Sequence, residues 1–255
     1  MIDLHAHILP GLDDGPETLD RAVAMARAAV AAGTTRLATT SHINRGFGLT
    51  PADLQAAGAA LNAQLTKHGI ALELLAGGEI SPNRLPELDD ATLHHLTLGG
   101  GPYVLLECPF APVDNRMDAM VADLQDRGFH VLLAHPERSP TFQRDPARLA
   151  RLTERSALAQ VTTGSFKGDF GEVPRRAALA MLDGGIVHVL ASDAHDAVHR
   201  PPGLRAAASA IDDEQLDWMA RAAPAAILAG EPLPERPPHR PPKGVRRRLR
   251  AWSAR

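Results

Sequence analysis

The sequence predicts an α/β fold: repeated strand–helix units around a parallel sheet, either closed into a barrel or left open. Short apolar, β-branched-rich runs alternate with longer Ala- and Leu-rich stretches of helical period, which is the pattern of βα units. Seven such alternations without a repeat unit argue for a parallel sheet. The length, 255 residues, suits one large barrel domain or two small domains.

The first strand is expected over residues 2–5, followed by a helix over 19–32 that stops at Gly33. The second strand covers 36–40. Its helix, 51–67, opens on Thr50-Pro51, an N-cap followed by a favoured first-turn proline, and stops at Gly69. Strands over 71–76 and 103–107 come next, then a helix over 116–127 ending at Gly128. The remaining strands lie at 130–134, 157–162 and 186–191, separated by helices at 146–155 and at 173–183, the latter closed by Gly184. The strand–helix domain is expected over 1–235, and a Pro- and Arg-rich tail over 236–255.

Composition narrows the class. No run of about eighteen apolar residues is present, so no transmembrane helix is expected. The opening Met1-Ile2-Asp3-Leu4-His5 lacks the basic and then apolar profile of a signal peptide. A single cysteine, Cys108, excludes an intrachain disulfide framework and suits a reducing cytoplasm. The net charge of −3 is unevenly spread: eight Lys/Arg and no Asp/Glu lie from Arg236 onward, leaving 1–235 with 19 Lys/Arg against 30 Asp/Glu. An acidic body is expected where carboxylates gather around cations.

The decisive regularity is where polar residues fall. His5 and His7 close the first strand, His42 follows the second and Glu79 the third. Glu107 ends the fourth strand, His135 follows the fifth, and Asp193 and His195 follow the seventh. C-terminal strand ends of a parallel sheet lie on one face, where such residues converge on one site. Surface residues placed independently would not keep this phase through six strands.

Each motif has a plainer reading beside the functional one. His5-Ala6-His7 at period two aims both imidazoles the same way, as two metal ligands or as two surface histidines. Asp13-Asp14-Gly15-Pro16 reads as an Asx turn, but seven residues after the histidine pair an aspartate becomes a ligand candidate, with Asp14 preferred over Asp13 and Glu17. Glu79 and Glu107 close apolar strands, where a carboxylate is costly to bury without a cation or partner. The candidates are thus His5, His7, Asp14, His42, Glu79, Glu107, His135, Asp193 and His195. Imidazole and carboxylate without thiolate favour Mn, Fe, Zn or similar divalent ions, and nine donors exceed the roughly four that one tetrahedral ion uses. Two or three metals are the natural inference.

The other histidines, His68, His94, His95, His130, His188, His199 and His239, miss the strand C-termini and read as surface or packing residues. Cys108 has Asp114 where a cysteine-phosphatase loop needs an arginine six positions on, so it reads as a small buried apolar side chain. Arg138, three residues after His135, and Arg200, in the stiff Arg200-Pro201-Pro202 loop, are the phosphate-binding candidates.

Together these motifs resemble the PHP phosphoesterase superfamily, most of all its bacterial capsule-locus branch of manganese-dependent protein-tyrosine phosphatases. The likeness is carried by the stretch from Met1 to Gly15, by Leu133-Ala134-His135-Pro136-Glu137-Arg138, by Thr163-Gly164-Ser165-Phe166 and by Ser192-Asp193-Ala194-His195 followed by Arg200-Pro201-Pro202. It covers about residues 1–230, in order and spacing. The resemblance implies a distorted seven-stranded β/α barrel, TIM-like and a single domain, with a trinuclear Mn2+ site that Fe, Zn, Co or Mg could also fill. It places His5, His7, Glu107 and Asp193 on one ion, Glu79, Glu107 and His135 on a second, and Asp14, His42 and His195 on a third. Arg138 and Arg200 fall on the family's phosphate contacts. Ile43, after His42, departs from the polar or basic residue common there, at the expected substrate rim.

The implied activity is hydrolysis of a phosphomonoester. Two close metals lower the pKa of a bridging water from near 16 to roughly 7 and clamp the phosphoryl oxygens for in-line attack. The implied substrate is a phosphotyrosine protein, the C-terminal tail of a membrane-anchored bacterial tyrosine kinase acting in exopolysaccharide or capsule synthesis, reached in the cytoplasm. A small-molecule phosphatase of the histidinol-phosphate type is the alternative, and a non-catalytic metal-binding module a more distant one. No nucleic-acid partner is expected. In the tail, Val245, Leu249 and Trp252 stand at helical spacing opposite arginines, which reads as a solvated basic end or as weak contact with an anionic membrane surface or an acidic partner tail.

Overall fold

The computed structural model describes residues 1–111 and 116–238. Nine short strands are present there: β1 (Ile2–Ala6), β2 (Arg36–Thr39), β3 (His42–Ile43), β4 (Glu73–Leu75), β5 (Glu79–Ile80), β6 (Tyr103–Glu107), β7 (His130–Ala134), β8 (Leu158–Thr162) and β9 (Val189–Ala191). Every pairing is parallel. The orders are β1-β2-β4 in one sheet and β3-β5-β6-β7-β8-β9 in the other. All seven sequence-predicted runs are therefore strands, and the alternation with helices holds.

The closed seven-stranded barrel is not what the hydrogen bonds describe. Among the described residues there are two sheets, and neither closes on itself. Past the second and third runs the chain breaks and resumes as β3 and β5. At the first break Thr40 turns aside to β1: its N–H donates to the Ala6 carbonyl at 3.0 Å, and its hydroxyl accepts from the Ala6 N–H at 2.9 Å. At the second break the chain passes through Gly77-Gly78, where a Cβ on Gly78 would meet the Ile43 side chain at 2.9 Å. Beside β4, the turn at 98–100 takes the place of a neighbouring strand, and the Gly99 N–H donates to the Ala76 carbonyl at 2.7 Å. Along the other margin, β1 and the segment after β9 meet through one bridge, Ala6 to Ala194.

Helices cover the outside. They are α1 (Leu19–Ala31), α2 (Pro51–Lys67), α3 (Asp90–Leu96), α4 (Arg116–Asp126), α5 (Pro140–Arg144), α6 (Pro146–Glu154), α7 (Thr163–Lys167), α8 (Glu172–Asp183), α9 (Asp213–Asp217) and α10 (Ala223–Ala229). The Thr50-Pro51 signal is a full capping box: the Thr50 hydroxyl accepts from the Asp53 N–H while the Asp53 carboxylate accepts from the Thr50 N–H. No helix among the described residues is long and apolar enough to cross a membrane.

Strand alternation divides the core. Leu4, Ala38, Leu75, Leu105, Leu132, Leu158 and Val189 face one another as an inner cluster drawn from both sheets, with Ile227 of α10 beneath. Leu37, Val104, Leu106, Val131, Leu133, Val161 and Leu190 face the helices in the larger cluster. Stepping by two along the inner face leads from apolar side chains to polar ones: Leu105 to Glu107, Leu158 to Gln160, and Leu75 past Gly77 to Glu79. The strands thus supply a buried floor and hand the site its ligands at one end. β1 carries an extra residue between Asp3 and Ala6 relative to β2. That bulge changes the strand's phase, so inner Leu4 is followed by His5 and His7 at the site.

The tail expected over 236–255 lies mostly outside the described residues, from position 239 onward, and with it His239 and the arginines from Arg246. Arg236 itself belongs to the body: its guanidinium donates to the Gly185 carbonyl and lies 5.4 Å from the Trp218 ring centroid.

Candidate metal centre

The nine sequence-predicted donors converge. They form four overlapping groups: His7, Asp14, His42 and His195; His5, His7 and Asp193; His5, Glu79 and His135; and His42, Glu79 and Glu107. None of the other six described histidines joins these groups.

Two imidazoles are fixed by hydrogen bonds on their far sides. His5 Nδ1 lies 2.9 Å from Gln160 Oε1, and His7 Nδ1 lies 2.9 Å from Asp13 Oδ2. Each acceptor holds its ring as the Nδ1–H tautomer and aims Nε2 into the site, as outer-shell partners of metal ligands do. The two Nε2 atoms face each other at 3.2 Å. Glu79 Oε2 is 3.5 Å from each, and Asp193 Oδ1 is 3.6 Å from His5 Nε2 and 3.5 Å from His7 Nε2. His135 Nε2 approaches Glu79 Oε1 at 2.8 Å. Across the pocket, Asp14 Oδ1 stands 3.4 Å from His42 Nε2 and 3.3 Å from His195 Nε2.

This donor set fits divalent cations. Glu79 Oε2 and His42 Nδ1 are buried without hydrogen-bond geometry to any partner, although they lie 2.9 Å apart. Two lone-pair-bearing Nε2 atoms in contact are likewise repulsive unless a proton or a cation lies between them. Protons alone give the alternative charge balance. Burial opposes a charge on His7, but Asp13, Asp193 and Glu79 outweigh it and raise its pKa to about 10. His5 is raised in the same way by Glu79 and Asp193 against burial. Burial would push Glu79 and Asp193 up, yet the facing imidazoles hold both well below the carboxylate range, with Arg200 also acting on Asp193. Carboxylates that stay ionised while buried need positive charge, which a cation supplies as it displaces the imidazole protons.

The grouping differs from the one the resemblance implies. Glu107 stands with His42 and Glu79 rather than with His5, His7 and Asp193; Glu79 is the carboxylate that belongs to two groups, and His5, His7 and His42 each belong to two as well. Burial first, and then the Glu79 charge, raise the Glu107 pKa.

Local backbone explains the aim of two ligands. His135 and Asp193 both have positive φ, 36° and 50°, a conformation unusual for residues with a side chain. Each sits just past a strand end and turns its side chain back over the sheet. Gly15 is required for another reason: a Cβ there would meet the His7 carbonyl oxygen at 2.4 Å. Its absence lets the 13–15 turn lie against β1, so that Asp13 reaches His7 from behind while Asp14 faces the pocket.

Both candidate arginines border the donors. Arg138 Nη1 lies 2.5 Å and Arg200 Nη2 lies 2.8 Å from Asp193 Oδ2, and Arg200 also donates to the Asp193 carbonyl at 3.0 Å. The Arg138 guanidinium is held between the rings of Phe110 and Phe170, 4.6 and 4.0 Å from their centroids. Ile43, expected at the rim, is instead 1% exposed and packs in the core, so it does not meet a substrate. Cys108 is fully buried, and burial together with Glu137 and Glu107 pushes its thiol well above the usual range, which leaves no thiolate nucleophile.

The family model for capsular polysaccharide synthesis proteins of the CpsB/CapC type matches residues 1–222. The chain belongs to the CpsB/CapC family. Its relatives include the tyrosine-protein phosphatase YwqE of Bacillus subtilis, 34% identical over 242 residues that span 93% of this chain and 95% of YwqE. The putative tyrosine-protein phosphatase CapC of Staphylococcus aureus is 30% identical over 207 residues, 79% of each chain. A crystal structure from work on YwqE and on CpsB of Streptococcus pneumoniae, described as unique metal-dependent tyrosine phosphatases, superposes with a TM-score of 0.84 at 32% identity. It covers 97% of this chain and 100% of its own. The family fold is thus an α/β domain with parallel sheets.

Sequence reasoning missed three members of the site. Gln160 was legible as a polar residue on the inner face of an otherwise apolar strand. Phe110 and Phe170 carry no spacing signal, since their positions depend on loops.

Proposed function

We propose that this protein is a metal-dependent protein-tyrosine phosphatase whose nine ligands are His5, His7, Asp14, His42, Glu79, Glu107, His135, Asp193 and His195. The observation that carries the reading is the placement of Arg138 and Arg200 on one oxygen of Asp193, at the border of a thiol-free donor cluster. A dianionic ester needs both components: cations beneath it and guanidinium forks at its edge. The family's named tyrosine phosphatases support the substrate class. Mn2+ is the proposed ion, two or three per chain.

Bound divalent ions supply Lewis acidity and an activated water at neutral pH. The chain's residues do the rest. Gln160 and Asp13 keep His5 and His7 in the tautomer that directs Nε2 inward. Glu79 and Asp193 hold the charge that retains the ions. Arg138 and Arg200 leave Asp193 to take the equatorial phosphoryl oxygens, where charge gathers as the bond to the phenolic oxygen breaks. A phenol with a pKa near 10 departs without an obligatory proton donor, so no general acid is assigned. The proposed setting is the cytoplasm, and the proposed substrate is the phosphorylated tail of a membrane-anchored tyrosine kinase in capsule or exopolysaccharide synthesis. The basic residues from Arg246 onward would add weak, salt-sensitive contact with an anionic membrane.

The test is to remove metal with a strong chelator, add back Mn2+, and assay a phosphotyrosine peptide beside histidinol phosphate, with an iodoacetamide-treated sample in parallel. The reading expects chelation to abolish turnover, Mn2+ to restore it, alkylation to leave it intact and the peptide to be preferred. Activity that survives exhaustive chelation but not alkylation overturns it.

A further inference from the structure

We propose that Phe47 and Phe110 are specificity-determining residues that receive the aryl ring of the substrate at the pocket mouth. The inference deepens the tyrosine-phosphatase reading and rests on it. The chain is poor in aromatic residues, with six Phe, two Trp and one Tyr. Phe129, Phe142 and Phe166 lie in the core. The other three gather at the site. Among the described residues the exposed large hydrophobics are Phe47, Phe110, Val173 and Val198, and Phe47 and Phe110 are 43% and 51% exposed.

Both rings lie nearly parallel to candidate ligand imidazoles. Phe47 stacks on His42 with centroids 6.0 Å apart and planes 4° apart. Phe110 stacks on His135 at 5.2 Å and 16°. Those two histidines approach opposite oxygens of Glu79, His42 on Oε2 and His135 on Oε1, so the rings mark two separate points of the rim. Half-exposed and stacked on candidate ligand imidazoles, the two rings offer apolar faces within reach of a group bound at the donors.

The chemistry of the substrate says what would lie there. In an aryl phosphate a single oxygen separates phosphorus from the ring, so a phosphoryl group on the donor cluster brings the ring to the mouth. Offset or edge-on contact with Phe47 and Phe110 then favours it. An alkyl phosphate presents no such face. Phe110 has a competing duty, because it also covers Arg138. Among the described residues no arginine lies over Phe47, so the pair separates ring recognition from support of Arg138.

The experiment compares wild type with Phe47→Ala, Phe110→Ala and Phe47→Trp, after confirming equal metal content. Turnover of a phosphotyrosine peptide is set against a phosphoserine peptide of the same sequence, and binding of phenylphosphonate against methylphosphonate. Each alanine variant is expected to lower the aryl-to-alkyl ratio of kcat/KM by about 10-fold or more, mainly through KM, with a parallel fall in the phosphonate binding ratio. Phe47→Trp should keep the ratio. Unchanged ratios in both assays overturn the inference, whether or not absolute rates fall, since an equal loss on both substrates is what mere support of Arg138 would give. Absence of phosphotyrosine turnover in wild type overturns the underlying phosphatase reading, whereas the phosphonate ratios still report on the rings.

Discussion

Replacing Asp13 tests how the two adjacent aspartates divide their work. Asp13 Oδ2 accepts from His7 Nδ1 at 2.9 Å and from the His42 N–H at 3.0 Å, while Oδ1 accepts from the Gly15 N–H at 3.0 Å. An asparagine has one oxygen for these two directions. Turned to keep His7 and His42, it points its NH2 at the Gly15 N–H, and turned the other way it opposes two donors. Asp13→Asn should therefore keep the His7 tautomer and lose one hydrogen bond and the negative charge, while Asp13→Ala loses all three bonds. With outer-shell partners worth roughly 10- to 100-fold in metal affinity, Mn2+ binding should weaken about 10-fold in the first variant and about 100-fold in the second. Those factors correspond to about 1.4 and 2.7 kcal/mol. Asp14→Ala should behave differently, because Asp14 faces His42 and His195 directly. It should lower the number of ions bound rather than the affinity of all. Mn2+ titration, with metal content measured by mass spectrometry after dialysis, reads both. Loss of one ion per chain in Asp13→Ala, with full content in Asp14→Ala, would reverse the assignment and refute the reasoning.

Three further outcomes are expected. Arg138→Ala and Arg200→Ala should each reduce kcat/KM by roughly 10- to 1000-fold with metal content kept, since each removes a charge-assisted phosphate contact of about 1.5–4 kcal/mol; wild-type kinetics, or lost metal, would assign them another role. Gly15→Ala should displace the 13–15 turn from β1 and lower metal occupancy, because its Cβ would stand 2.4 Å from the His7 carbonyl oxygen; unchanged occupancy would show that the turn can give way. His188 is remote from the donors, and burial together with Arg236 lowers its pKa to about 4 from an ordinary 6.5. The unfolded chain then binds the proton more readily, so the stability this histidine contributes is present above pH about 6.5 and lost as pH falls through about 4, by roughly 3 kcal/mol. Urea midpoints of wild type should fall more steeply over that range than those of His188→Gln, and equal slopes would contradict the shift.

Much of the site was readable before the fold because ligands at strand ends obey a periodicity of two. Glu79, Glu107 and Asp193 close apolar runs, and that phase survives in the structure. What the sequence concealed depends on geometry without periodicity. Past the breaks at Thr40-Ser41 and Gly77-Gly78 the chain resumes as the two-residue strands β3 and β5, too short to mark the sequence, and the strands pair as two sheets rather than the expected closed barrel. The left-handed backbone at His135 and Asp193 leaves no mark on composition. Asp13 and Asp14 are equivalent as letters, and only the approach of Gly15 to β1 gives one a backing role and the other a place in the pocket. Ile43 follows His42 directly but points into the core, since adjacent residues of an extended segment face opposite ways. The helices at 213–229 lie after the last strand, beyond the strand–helix alternation.

The central claim is that His, Asp and Glu at the strand ends hold a cluster of divalent ions. Anomalous diffraction from Mn2+-loaded crystals, recorded at the manganese edge, tests it most directly. The account predicts two or three peaks, each bounded by donors from the groups around His5, His7, His42 and Glu79, with Arg138 and Arg200 beside them. No peak there, or a single peak held by residues outside the nine, would contradict it.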